Sequence, residues 1–466
     1  IALKTVLIFG LRPRLLLFGI MLVTGFLSMW ISNTATALTM VPNALAIITK
    51  LEEITGDPQS VEPFSKSLFL CIAFSASIGG MATLIGTPPN LIMTQIAKTQ
   101  FPSAPEIGFA QFLFVALPTA VVVLVVIYLF FVFIYMRKLK MPTQVDESIF
   151  RENYNKLGKM KPAEIIITVV FVLLAFLWLF RADLSFSESA TLIGWAHRLH
   201  PPNGSSVIND GTVAIALAMI LFIIKVPQPT VKEEKQLIDG EVDLAIGQRP
   251  VGWNQDNADE DDIDEVSASD ELREEVTENN EVSMSQQTTT NEPQEWVPLI
   301  EWEYAQQKIP WTILFLFSGG FALNQGFTDS ELNQWLGDSL KGLGSLNLFL
   351  LLLIICIVTS VLSNTACANI LLPVVAMVGK NSGKYHPWIL MIATAFATSC
   401  CFILPVATPP NLICYGSGRL EMKDFIVAGS LINLISVILV AAMALALVPP
   451  VFHADEFPDW AKPTTS

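Results

Sequence analysis

Long apolar stretches separated by short polar ones set the plan of the chain. They run near residues 14–50, 66–99, 108–136, 163–181, 211–226, 310–327, 346–379, 387–418 and 427–450. Phe109–Met136 and Val427–Pro450 contain no charged residue, and about 20 apolar residues suffice for a helix to cross a bilayer. The segments 14–50, 66–99, 346–379 and 387–418 are too long for one plain span, and each has Gly, Pro, Ser, Thr or Asn in its middle. That combination predicts hairpins or broken helices. Segments 1–12 and roughly 330–343 have the amphipathic pattern of helices lying at the membrane surface.

Composition agrees with this plan. The 466 residues are 52% hydrophobic and their mean hydropathy is +0.54, values of a polytopic helical membrane protein. The net charge of −15 is a local property. Between Val231 and Trp296 there are 20 acidic residues against 4 basic ones, leaving 22 acidic and 23 basic elsewhere. This insert reads as a disordered acidic loop over 227–297. Ser267, Ser269, Ser283 and Ser285 sit beside its acids and could be phosphorylated, but a plain solvated linker without a specific role is the preferred reading. The basic run Arg137, Lys138, Lys140, Arg151, Lys156, Lys159 and Lys161 predicts a cytoplasmic loop. One span later Asn203-Gly204-Ser205 offers a glycosylation site, Asn203, on the opposite side. The cysteines Cys71, Cys356, Cys367, Cys400, Cys401 and Cys414 lie within apolar segments without metal-like spacing, which reads as structural thiols.

Two motifs recur in the same order. Ser32-Asn33-Thr34-Ala35 matches Ser363-Asn364-Thr365-Ala366, with a hydroxyl four residues upstream in each copy, Ser28 and Thr359. Thr87-Pro88-Pro89-Asn90-Leu91-Ile92 is repeated letter for letter at Thr408–Ile413. Loop charges place 51–65 inside and 380–386 outside, so the copies have opposite orientation, the inverted-repeat plan of secondary transporters. Three spans that precede the second surface helix have no partner before the first, so further spans are expected ahead of Ile1.

No charged side chain accompanies the four motifs. Their chemistry must come from hydroxyls, amides, free backbone groups and helix ends. A Pro-Pro pair ends a helix and frees carbonyls that suit a hard cation, while helix N-termini suit a carboxylate. Two related copies give two cation sites around one site for a ligand with two anionic groups. Packing between helices would explain a single such motif, but four motifs matched in order predict a binding site.

The stretches Leu27–Thr36 (LSMWISNTAT), Ser363–Ala366, Gly86–Asn90 (GTPPN), Leu404–Asn411 (LPVATPPN) and Phe457–Ala461 (FPDWA) resemble the divalent-anion/sodium symporters. The likeness covers nearly the whole chain except the acidic insert. It implies an all-α polytopic, inverted-repeat, elevator-type transporter, a homodimer with re-entrant hairpins at 14–50 and 346–379 and unwound helices at 66–99 and 387–418. The implied division is an interfacial helix 1–13, first-repeat transport elements 14–136, scaffold helices 163–226, a scaffold and an interfacial helix in 298–345, second-repeat elements 346–450 and an extracellular tail 451–466. The resemblance also implies a first Na⁺ site from Ser28, Ile31, Asn33 and Gly86, and a second from Thr359, Leu362, Asn364 and Ala407. Substrate carboxylates would meet Asn33, Thr34, Thr87, Asn364, Thr365, Thr408 and Pro409. Many animal dicarboxylate and citrate carriers have Val where this chain has Thr365, so C4 dicarboxylates such as succinate are expected ahead of citrate, and sulfate third. The expected partners are the anion, Na⁺ and the bilayer, with no nucleic acid and no organic cofactor, and the expected location is the plasma membrane. A sodium-independent carboxylate exchanger shares the pattern, an anion channel would lack the paired cation sites, and a non-transporting scaffold would tolerate loss of the motifs. An intramembrane enzyme is disfavoured, since no acid, His or paired Cys sits with a nucleophile.

Overall fold

A computed structural model describes residues 12–138, 160–187, 190–199, 208–227, 296–309, 347–382 and 385–461, with scattered positions between 311 and 330. The expected surface helices near 1–12 and 330–343, Asn203 and nearly all of the acidic insert lie outside the described residues. Two compact units are present, one of residues 1–218 with 305–466 and one of residues 219–304.

In the larger unit the same order of elements occurs twice. The first copy is α1 (Pro13–Ser28), α2 (Asn33–Thr55), α3 (Pro58–Met81), α4 (Pro88–Gln100) and α5 (Phe109–Phe130, continued to Tyr135 as a wider π turn). Then come α6 (Pro162–Leu179), the strands β1 (Leu184–Ser187) and β2 (Ala190–Leu192), and α7, Asp210–Ile223. In the smaller unit β3 (Lys225–Pro227) pairs antiparallel with β4 (Trp296–Pro298), so the two ends of the acidic insert meet in a ladder. After α8 (Trp302–Lys308) the second copy follows as α9 (Leu348–Val361), α10 (Asn364–Ser382), α11 (Pro387–Ser399), α12 (Pro409–Gly416) and α13, Met422–Phe452. Among the described residues five helices are long and apolar enough to cross a membrane: α2, α3, α5 with its extension, α6 and α13. Five shorter apolar helices, α1, α7, α9, α10 and α11, accompany them. The protein is a multi-pass, predominantly helical membrane protein. The two short ladders, invisible to a period-3.6 reading, are the exception.

Local chemistry sets the helix ends. Pro13, Pro58, Pro162, Pro387 and Pro409 start helices, where the missing N–H costs nothing. Gly56, at φ 63°, ends α2 in the left-handed conformation, and Asp57 caps α3 by accepting from Gln59 N at 3.0 Å. The polar segment 51–65, read from sequence as a loop, is therefore a two-residue turn between helices that run further than the apolar pattern does. Its glutamates are paired: Glu62 with Lys66 at 2.8 Å, Glu53 with Lys50 at 2.6 Å and Glu52 with Arg419, while Lys66 also meets Asp424 at 3.4 Å.

The broken helices form the core. All 13 residues of α11 are buried, and α3 is buried over nearly its whole apolar length. Phe74 of α3 packs on Phe402 of the second break, with ring centroids 4.7 Å apart, and on Phe131 and Phe425. The six cysteines are buried and unoxidised within this packing. The chain's FPDWA ending docks through Trp460, which meets Phe101, His386 and Trp388 at 4.8–5.4 Å. Burial holds the His386 imidazole down to about 4, and its neutral Nδ1 accepts from Trp388 N at 3.1 Å to cap α11.

Helices α1 and α3 touch backbone to backbone. A Cβ on Gly79 would stand 2.2 Å from the Gly25 carbonyl oxygen, whereas one on Gly416 would meet nothing within 4 Å. Gly79→Ala should therefore destabilise the purified protein by about 1–3 kcal/mol, the cost of overpacking. Thermal unfolding in detergent should show the loss, with Gly416→Ala as the unaffected control.

Candidate functional site

Both SNTA motifs build the same tip. The serine caps the helix that follows: Ser32 Oγ accepts from Ala35 N, and Ser363 Oγ from Ala366 N, each at 3.2 Å. Asn33 and Asn364 thereby become the first residues of α2 and α10, where the helix dipole is positive.

Both TPPN motifs build the same break. Thr87 and Thr408 precede α4 and α12 in extended conformation (φ −144° and −145°). A threonine there normally accepts from the second or third backbone N–H of its helix. Here the first two helical residues are prolines, so the nearer of these donors is missing. In α4 the other, Asn90 N, bonds the Thr87 carbonyl instead at 3.2 Å. Neither hydroxyl finds an oxygen or nitrogen partner: Thr87 Oγ1 and Thr408 Oγ1 are buried and unbonded among the described residues, with only the weakly accepting Cys401 thiol beside Thr408. The double proline thus leaves an unsatisfied hydroxyl at the mouth of each half-helix, inside a membrane protein.

The asparagines of these motifs have a role that the sequence reading missed. Asn90 Nδ2 donates to the carbonyls of Thr83 (2.7 Å) and Met81 (3.3 Å). Asn411 Nδ2 donates to those of Cys401 (2.8 Å) and Leu404 (3.2 Å). Aligning TPPN with TPPN sets Thr83 opposite Leu404, so each asparagine satisfies the carbonyls freed by its own break. The signal was available as the fourth identical letter of the motif.

In the first copy the predicted site residues converge. Ser28 Oγ donates within reach of both Asn33 Oδ1 (2.7 Å) and the Ala76 carbonyl (2.6 Å). The same terminal atom of the Asn33 amide lies 3.2 Å from Ala76 O and 3.2 Å from Gly86 O. With the amide oxygen there, four oxygens share one hydroxyl proton, an arrangement that a cation would complete. With the amide turned over, its nitrogen donates to all three neighbours. Gly80 is necessary to this approach, because a Cβ there would stand 2.2 Å from Asn33 Oδ1. The Ile31 side chain is exposed at the tip. Thr83 ties the tip to the break, donating to Met29 O (2.5 Å) and accepting from Gly86 N (3.1 Å).

The second copy is assembled differently. Thr359 Oγ1 donates to Ile355 O of its own helix at 2.7 Å. Asn364 Oδ1 accepts from Thr365 N and Thr365 Oγ1 at 2.8 and 3.2 Å. No hydrogen bond joins Thr359, Asn364 and Ala407 to one another, although all three are buried, while Leu362 and Pro409 are exposed. Here the tip is held by Asn433 of α13, which donates to Ser360 Oγ (3.1 Å) and accepts from Phe402 N (3.3 Å). Asn433 was also missed; its signal is a lone amide in the uncharged stretch Val427–Pro450.

Comparison with known proteins follows this geometry. Residues 1–453 match the family model described as the sodium:sulfate symporter transmembrane region. The chain belongs to the sodium:sulfate symporter family. It is 31% identical over 464 residues to the "Sodium-dependent dicarboxylate transporter SdcS" of Staphylococcus saprophyticus, covering 98% of this chain and 73% of that protein. It is also 31% identical over 462 residues to the protein of the same name from Staphylococcus aureus strain MRSA252, with the same two coverages. The family is one of transporters, not enzymes.

If the asparagine staples hold the breaks, Asn90→Ala and Asn411→Ala should each cost about 1–3 kcal/mol, the penalty for a buried polar group left unpaired. Thermal melts of the purified variants check this. Leu91→Ala, at an exposed position beside the motif, should melt with the parent.

Proposed function

We propose that the protein is a secondary active transporter that carries C4 dicarboxylates such as succinate together with Na⁺. The observation that carries this reading is the pair of buried, unpartnered threonine hydroxyls, Thr87 and Thr408, each at the start of a half-helix. Two such donors with two positive helix ends suit the two carboxylates of one dianion. The names of the staphylococcal relatives support both the substrate class and the coupling to sodium.

In this reading Asn33 and Thr34 serve one carboxylate and Asn364 and Thr365 the other, with Thr87, Thr408 and Pro409 completing the cradle. Na⁺ sits among Ser28, Asn33 and Gly86, joined by the Ala76 carbonyl, with the Ile31 carbonyl at the tip. With Na⁺ bound the Asn33 amide presents its oxygen; without it the nitrogen faces inward. A second Na⁺ takes Thr359, Leu362, Asn364 and Ala407 once these leave their local hydrogen bonds. The copies are inversely oriented, the hairpins re-entrant, and residues 14–136 and 346–450 move as an elevator in a homodimer of the plasma membrane. Citrate is a second substrate and sulfate a third. Sodium-independent exchange is the alternative that the experiment separates.

Vesicles containing the full chain should take up radiolabelled succinate with an inward Na⁺ gradient and not when K⁺ replaces Na⁺. Equal uptake in K⁺ would leave the exchanger and remove symport. Asn33→Ala and Asn364→Ala should each cut uptake by about 10- to 100-fold, the loss expected for a hydrogen bond to a charged group, at unchanged surface expression.

A further inference from the structure

Helices α2 and α12 come from different copies, yet they pack on each other and are bolted together at one end. Arg419 Nη1 and Nη2 meet Glu52 Oε1 and Oε2 at 2.5 and 3.2 Å, a two-pronged pair across 367 residues of sequence. Both side chains are about four-fifths buried, at 22% and 19% exposure. A bidentate pair fixes distance and angle together, which a single contact does not. The backbone that presents Arg419 is itself set: Ser417 Oγ donates to Cys414 O at 2.6 Å, and Gly418 turns at φ 70°.

Each helix of this pair begins at a site motif. Asn33 opens α2, and Thr408 immediately precedes α12. Helix α12 has only 8 residues, about 12 Å at 1.5 Å per residue, so slack at Arg419 is passed on to Thr408 with little flexing. The corresponding pair in the other half is α4 with α10, which also pack together. Those helices carry Lys98 and Lys380 in their last turns. Among the described residues no ion pair joins them. The neighbouring Lys66–Asp424 pair binds α3 to α13 and touches neither α2 nor α12.

We propose that Glu52–Arg419 is a positioning clamp: it fixes the spacing between the Asn33 and Thr408 helix starts and thereby the length of dianion that the site accepts. The proposal rests on the dicarboxylate reading above. It makes Glu52 and Arg419 specificity-determining residues that never touch the substrate.

The test uses the full chain purified into liposomes under a Na⁺ gradient, with succinate and its one-carbon-longer homologue glutarate as paired substrates. Glu52→Gln and Arg419→Gln should each raise the succinate KM and lower the preference for succinate over glutarate by about fivefold, the scale of one weakened charge-assisted contact. The exchange Glu52→Arg with Arg419→Glu should recover most of that preference. Spin labels at Ile54→Cys and Leu412→Cys, both exposed, read the spacing without transport. Their distance distribution should be narrow in the parent and broader in Glu52→Gln. Unchanged KM and preference with only a lower Vmax, or an unbroadened distribution, would overturn the clamp. A parent that transports neither acid would remove the functional reading, while the spin-label distances still judge the clamp.

Discussion

A helix broken inside a membrane leaves carbonyls and amides that lipid cannot satisfy, and the rest of the architecture is arranged around two such breaks. Thr-Pro-Pro-Asn resolves the constraint within four residues. The prolines end the possibility of a continuous helix, the asparagine gathers the freed carbonyls, and the threonine hydroxyl is left over. An unsatisfied donor in a buried place is costly. Its persistence at two matched positions is the observation on which the proposed reading of these breaks as binding sites rests.

The core follows from the same constraint. Unwound backbone must be surrounded by protein, so α3 and α11, which lead into the breaks, are the most buried helices. Small residues allow the surrounding helices to approach closely: Gly79 of α3 against Gly25 of α1, Gly80 against Asn33 at the first tip, and Gly429 of α13 against the Phe402 carbonyl in the second break. The copies share a plan but not every contact. One tip is tied through Thr83, the other through Asn433 and Ser360. One set of cation-site candidates is gathered around Ser28 and Asn33, while Thr359 and Asn364 bond locally.

Much of this was legible beforehand. The motifs, their order and the helix–tip–helix and helix–break–helix segments are written in identical letters and in apolar runs with polar middles. Helix ends were less legible, because hydropathy stops at the first charge whereas α2 and α3 continue through Glu52, Glu53 and Glu62. Glu53 and Glu62 are paired locally by Lys50 and Lys66, but Glu52 finds its partner only after folding brings Arg419 to it. Ala76 could not be singled out, since it contributes a backbone carbonyl that any residue would supply. The roles of Asn90, Asn411 and Asn433 were hidden for the opposite reason: an amide in an apolar segment has many possible partners, and only the fold selects among them.

The central claim is that hydroxyls, amides, helix ends and Na⁺ together bind a dianion without a charged side chain. Calorimetric titration of the purified protein with succinate tests it most directly, in NaCl and in KCl of equal ionic strength. The account predicts saturable succinate binding in NaCl and none measurable in KCl. Binding of equal affinity in both salts would contradict it.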